Sequence, residues 1–153
     1  MSIERVREYL NSFGLSDRIV EHEVSTATVE LAAEAAGCEP ERIAKTMGYI
    51  IKDRPILIVA AGDVRIDNRK FKDTFKSKAK MMTPDQLNEL VGHNIGGVCP
   101  FAIKDGVEVY LDESLKRFKT VFPSCGTANS TIELSLEELE TASKSTNWVD
   151  VGK

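Results

Sequence analysis

Five side chains of the 153-residue chain have the intrinsic reactivity for nucleophilic, acid–base or metal chemistry near neutral pH: His22, His93, Cys38, Cys99 and Cys125. Two of them fall in one short stretch, "VGHNIGGVCPFAI" (residues 91–103), together with a proline and two adjacent glycines. A Cys-His hydrolase pairing of Cys99 with His93 or His22 needs only that the partners meet in space. No local signature supports that pairing, and a Cys inside a Gly-Gly-Val-Cys-Pro-Phe turn reads more readily as a small buried side chain. Zinc sites bring ligands in closely spaced pairs, and these five residues offer none, so no metal is expected. The odd, scattered cysteines without a CxxC fit free thiols in a reducing compartment.

Gly96 and Gly97 offer different chemistry. A Gly-Gly turn lets backbone N–H groups approach a bound carbonyl oxygen or phosphate closely. The stretch matches neither GxGxxG nor GxxxxGK[ST], and a plain tight turn is the alternative. Lys45 poses a similar choice, because "EPERIAK" predicts a helix that this lysine ends. There it would either complement the helix dipole or reach into a cleft to hold a phosphate or carboxyl group.

The elements that must position these groups are well punctuated. Ile3, Val6, Leu10 and Phe13 predict an amphipathic first helix stopped by Gly14, and "IVEHEV" a short strand. "STATVELAAEAAG" predicts a capped helix ending at Gly37. "TMGYIIKDRPILIVAAG" gives two apolar runs around Asp53, Arg54 and Pro55, a hairpin. "KAKMM" reads as a strand, and "TPDQLNELVG" as a helix with Thr83 and Gln86 forming a capping box and Gly92 as the stop. "VEVYLD", "KTVFPSC", "TIEL" and "NWVDV" read as strands, and "SLEELE" as a helix with a second capping box. Helices and strands alternate without a clean βαβ rhythm, which predicts an α/β or α+β fold, one domain over 1–153, with a mixed central sheet and flanking helices.

Net charge is −4, which argues against a general nucleic-acid binder. The charge is unevenly spread: residues 65–80, "RIDNRKFKDTFKSKAK", hold seven basic residues against two acidic ones. This segment is either a phosphate-reading patch or a solvated helix whose Phe71 and Phe75 point into the core. No apolar run is long enough to span a bilayer and the N-terminus does not read as a signal peptide, so a cytoplasmic protein without a membrane partner is expected.

Taken in order, several segments resemble the YbaK/EbsC-type aminoacyl-tRNA deacylases, relatives of the editing domain of bacterial prolyl-tRNA synthetase. They are "ERIAKTMGYII", "ILIVAAGDVRID" followed by the basic helix, "GGVCPF", "VYLDESL" and "VFPSCGTANSTIELSLEEL", within a matching region from Thr26 to Leu139. The resemblance implies a barrel-like sheet and hydrolysis of the ester between a wrong amino acid and the 3′ end of a tRNA. It places Lys45 on the family's functional lysine and makes the Gly96 and Gly97 backbone a carbonyl-polarising group. It also implies substrate contacts at Thr26, Cys99, Ser124, Gly126 and Thr131, and tRNA contacts at Lys70, Lys72 and Lys76.

Three departures from the family pattern matter. Cys99 stands where the family often has Ser, Thr131 where some cysteine-specific members have Asp, and "FPSCGTAN" lacks the His of alanine-specific members. Cys, Ala, Ser and Thr therefore stay open as the amino acid cleared. The resemblance implies no cofactor; the expected partners are a mischarged tRNA such as tRNA-Pro and a synthetase, with the protein a monomer. A binding module of the same fold, without hydrolysis, is the alternative, and a Cys-dependent hydrolase a more distant one.

Overall fold

The computed structural model describes residues 2–153. Its centre is a curled sheet of six strands in the order β7-β5-β2-β3-β4-β8. The strands are β2 (Ile43–Ile51), β3 (Arg54–Ala61), β4 (Glu108–Asp112), β5 (Thr120–Pro123), β7 (Leu134–Ser135) and β8 (Asn147–Val149). A separate antiparallel pair joins β1 (Val20–Glu21) to β6 (Ser130–Thr131). The main sheet is mixed: β2–β3 is an antiparallel hairpin, whereas β5, β4 and β8 run parallel to their neighbours β2, β3 and β4. This half-barrel with flanking helices is the mixed α/β arrangement expected from the sequence.

Helices cover the sheet on both faces. Val6 and Leu10 of α1 (Ser2–Asn11) are fully buried and pack with Leu57, Val59, Leu111 and Leu139. α2 (Val29–Ala36) is capped by the Thr28 side chain and closed by Gly37 in the left-handed conformation, and it buries Ala32 and Ala33 against Ile43. On the other face Phe71 of α3 (Asn68–Phe75) is fully buried, its ring centroid 5.1 Å from Tyr49 and 4.8 Å from Phe75. Both expected capping boxes are present, at Thr83/Gln86 opening α4 (Pro84–Gln86) and at Ser135/Glu138 opening α5 (Leu136–Ser143).

Several expectations need correcting. "EPERIAK" is not a helix: Pro40–Arg42 makes one 3-10 turn, and the chain enters β2 at Ile43, so Lys45 lies in a strand. A run of nine residues with Ile43, Met47, Tyr49 and Ile51 alternating on one face outweighs one helical start signal. The hairpin turn is Lys52–Asp53, both at positive φ (48° and 66°), and Arg54 and Pro55 already belong to β3. "KAKMM" forms only an isolated bridge between Met81 and Tyr49. "IVEHEV" yields only the two residues of β1, and "TIEL" is divided between β6 and β7. After Gln86 the chain widens into a π turn over Leu87–Val91, closed by Gly92 at φ 98°.

Candidate active site

Lys45 and Thr46 of β2 sit on the floor of a cleft of about 220 Å³. Its walls come from the 26–29 segment and Ala32, from Met81, Met82 and Leu87, from Ile95, Gly96 and Val98, and from Ser124. Lys45, Gly96, Thr26 and Ser124, spread across nearly one hundred positions, thus converge on one cavity. Lys45 is the only charged residue lining it among the described residues.

The Lys45 ammonium is held by the turn after β3, where it donates to the Val64 carbonyl and to the Gly62 carbonyl at 3.4 Å. That turn is pinned by Arg117, which grips Asp63 with two bonds of 3.0 and 2.6 Å, and by close packing of Gly62. A Cβ on Gly62 would lie 2.1 Å from the Pro40 carbonyl oxygen, so only glycine lets the two backbones meet. Half-burial pushes the Lys45 pKa down; the Asp63 carboxylate opposes that shift, and Arg65 adds to it.

The glycine pair divides into two different residues. Gly96 has φ 91° and supplies the bend of a turn in which Gly97 N–H donates to the Asn94 carbonyl at 3.1 Å. The Gly97 amide is therefore committed inside the turn, whereas Gly96 N–H has no acceptor among the described residues. Gly97 serves packing instead: a Cβ there would lie 2.7 Å from the Thr127 backbone. It lets the 94–97 turn lie flat on the 126–128 segment, where Gly126 itself is buried at φ 92°.

The conspicuous Cys99 and His93 lie outside the cleft. Both are fully buried, with Cys99 Sγ 3.5 Å from His93 Nε2. That contact is not a nucleophile and its base. His93 Nε2 donates to the Phe101 carbonyl at 2.7 Å, so it carries the ring proton and cannot accept another, while Nδ1 is buried without a partner. Burial pushes the Cys99 thiol up to about 12, although a backbone hydrogen bond at Phe101 and the charge of Arg5 lower it, and burial pushes the His93 pKa down. The thiol is protonated, the imidazole neutral, and neither is reachable.

Thr131 is also elsewhere. It bridges Ser124 across the backbone, but its hydroxyl bonds His22 Nε2 at 2.8 Å and faces a second cavity beside Arg18, Glu133 and Glu138. Of the three basic-helix residues, Lys72 and Lys76 are exposed, while Lys70 donates to Asp150 at 3.1 Å and to the Gly152 carbonyl at 2.9 Å. The phenylalanines of this helix do point into the core, and its outer face still presents a band of lysines.

Sequence reasoning missed Thr46, whose buried hydroxyl, like that of Thr26, has no partner. The signal is its place one residue after Lys45, at the start of the apolar run "TMGYII" that predicts the first hairpin strand. It also missed the exposed apolar rim, Met81 and Ile95 at 61% and 67% exposure, which no periodicity singles out. Cys38, Cys99 and Cys125 are free thiols, and no cluster of three or more His, Cys, Asp or Glu able to hold a metal occurs among the described residues. No described helix is long and apolar enough to cross a membrane.

Known proteins give this geometry a context. The chain is 50% identical to the uncharacterised protein YwhH of Bacillus subtilis (strain 168), over 100% of this chain and 98% of YwhH. It is 24% identical over 96 residues to a proline–tRNA ligase of Geobacillus sp. (strain WCH70), covering 62% of this chain but only 17% of that much longer enzyme. A crystal structure described as a candidate trans-editing enzyme for prolyl tRNA synthetase superposes with a TM-score of 0.90 at 28% identity, covering 99% of this chain and 97% of that one. The family described as "Aminoacyl-tRNA editing domain" matches residues 23–142, the stretch that builds both the cleft floor and its walls, and the chain belongs to that family.

Proposed function

We propose that the chain acts as one domain, 1–153, that hydrolyses the ester linking a wrong amino acid to the 3′ end of a tRNA in the cytoplasm, as a trans-acting editor. The observation that carries this reading is the convergence of Lys45 with the uncommitted Gly96 N–H in one small cleft. A cation and a backbone donor contributed by residues lining one cleft suit a carbonyl oxygen that gains negative charge as water adds to its carbon. The ester C–O bond then breaks and the ribose oxygen takes a proton. Lys45, its pKa lowered by burial, gives up a proton more readily than a free lysine. Among the described residues no His, Cys, Asp or Glu lines the cleft, so we assign no covalent intermediate: the nucleophile is a held water or the substrate's own side chain.

The cleft's lining beyond Lys45 is small, apolar or hydroxyl-bearing, which suits side chains the size of Cys, Ala, Ser or Thr. The exposed lysines Lys72 and Lys76 are assigned to the tRNA backbone, and the trans-acting role is supported by the likeness to the candidate trans-editing enzyme. The test is release of amino acid from tRNAs charged with Cys, Ala, Ser or Thr, tRNA-Pro included, at substoichiometric protein. Multiple turnovers on at least one are expected. Tight binding without release from any of them identifies a binding module instead.

A further inference from the structure

The outer edge of β2 has two neighbours that do not meet. At one end β5 runs alongside, pairing Ile43 with Phe122 and Ala44 with Pro123. Further along the 80–82 segment takes its place, with Ile50 N–H donating to the Lys80 carbonyl and Met82 N–H to the Gly48 carbonyl, each at 2.9 Å. In an antiparallel pair the N–H and C=O of alternate residues point to the same edge. The tight turn makes Ile51 and Arg54 a hydrogen-bonded pair, so Lys45, Met47 and Tyr49 bond to β3, while Ala44, Thr46, Gly48 and Ile50 face outward.

Of these four, Thr46 has no neighbouring segment to pair with among the described residues. On one side Thr83 and Pro84 start α4 just after Met82 and turn the chain away. On the other side the pairing of β5 ends opposite Ala44, and Ser124 turns to bridge Thr131. The ladder is one rung short, and Thr46, Met82 and Ser124, which bound the gap, all line the cleft. The buried, unpartnered hydroxyls of Thr46 and Thr26 lie in the same lining. Backbone groups left unbonded in a partly closed cavity are costly unless a ligand or water takes them up.

We propose that this missing rung is the seat of the substrate's aminoacyl group. Thr46 N–H donates to the ester carbonyl and Thr46 C=O accepts from the α-ammonium, so that the aminoacyl residue lies extended against β2 as a strand of one residue. One residue of an antiparallel pair exchanges both bonds with one residue opposite, and an aminoacyl ester carries both the donor and the acceptor. The inference deepens the editing reading and rests on it: with the Gly97 amide committed to its turn, Thr46 supplies the second backbone donor beside Gly96.

The test uses 3′-amino-3′-deoxyadenosine acylated on nitrogen with L-alanine, which lacks the ester, and its propionyl counterpart, which lacks the ammonium. The propionyl compound is expected to bind roughly 10- to 100-fold more weakly. In the labelled protein, hydrogen exchange at the Thr46 amide should slow about tenfold or more when the alanyl compound is bound, with the Lys45 and Met47 amides unchanged. Thr46→Pro removes an outward N–H that edge positions tolerate losing and should weaken alanyl binding by about tenfold or more; should that variant not fold, the exchange result decides. Equal affinity for the two compounds, no binding, or an unchanged Thr46 amide at saturation overturns the proposal. Slowed Thr46 exchange without turnover on any charged tRNA keeps the seat and rejects the hydrolase; turnover with an unaffected Thr46 amide does the reverse.

Discussion

The Cys99–His93 core and the cleft at Thr46 are built on opposite terms. In the core, reactive atoms lie 3.5 Å apart, yet the donors of both groups are directed at the Phe101 carbonyl, His93 Nδ1 is sealed in without a partner, and the surroundings hold both groups neutral. In the cleft the side chains are mostly unreactive, but Gly96 N–H, the Thr46 backbone and two threonine hydroxyls have no partner among the described residues. What separates the two regions is free bonding capacity facing a cavity, and reactivity by residue type is a poor guide to it.

The largest expected effect that separates them is at Lys45. Lys45→Ala should lower deacylation about 100- to 1,000-fold while the folded state persists, because the ammonium binds only two carbonyls of a turn that Arg117 and Asp63 hold independently. Retained turnover in a folded variant would remove the cation from the chemistry. Gly97→Ala comes next: its Cβ collides with the Thr127 backbone, so a cost of about 1–3 kcal/mol in denaturant unfolding and a loss of turnover are expected together. If only stability falls, the 94–97 turn does not shape the site.

Smaller effects belong to the core. Cys99→Ala should cost about 1 kcal/mol for the cavity it leaves and change turnover less than threefold. Cys99 ionises in the folded protein only near 12 against an ordinary 9.0, so the stability it contributes is intact below pH 9.0 and is lost as pH climbs from 9.0 towards 12. For His93, with its pKa depressed below 6.5, the sign is opposite: stability is intact above pH 6.5 and declines as pH falls below it. Urea melts across this range should show both flanks, with the alkaline one shallower in Cys99→Ala. Smallest of all, Lys72→Glu or Lys76→Glu should weaken tRNA binding at low salt and reduce the slope of log affinity against log salt by about 1. An unchanged slope would leave these lysines as solvated surface.

The overall architecture was legible because its punctuation is local. Capping boxes at Thr83 and Ser135, the Gly37 and Gly92 stops and the alternation along "ILIVAA" all describe nearest neighbours in sequence. Order and spacing of weak motifs likewise pointed to the family, and to Lys45, Gly96, Ser124 and Thr26 as lining residues. Two of the failures depended on partners distant in sequence, and one on a local turn. Whether Gly97 N–H is available depends on Asn94 adopting a turn, whether Lys70 is free depends on Asp150, and Thr46 matters only because Thr83 and Ser124 divert two other segments. Thr131 matches a family position in sequence order, but its hydroxyl is engaged by His22 Nε2 and lines the second cavity rather than the cleft.

The tether of Lys70 has a consequence for the order of assembly. Its partners Asp150 and Gly152 lie 80 and 82 residues further along, and the backbone beside α3 is closed by Arg65 and Asp67 pairing with Lys153 and Val151. Closing so large a loop is entropically slow, so during synthesis the lysine-bearing helix, with Phe71 able to pack on Tyr49 of the hairpin, is translated long before the partners of Lys70 exist. Hydrogen-exchange labelling during refolding should find the β2–β3 hairpin protected early and the amides at Arg65 and Asp67 last. The surface assigned to tRNA would then come into register only as the final strand docks, which makes capacity to bind substrate a late product of folding rather than a property of the hairpin that carries the cleft floor.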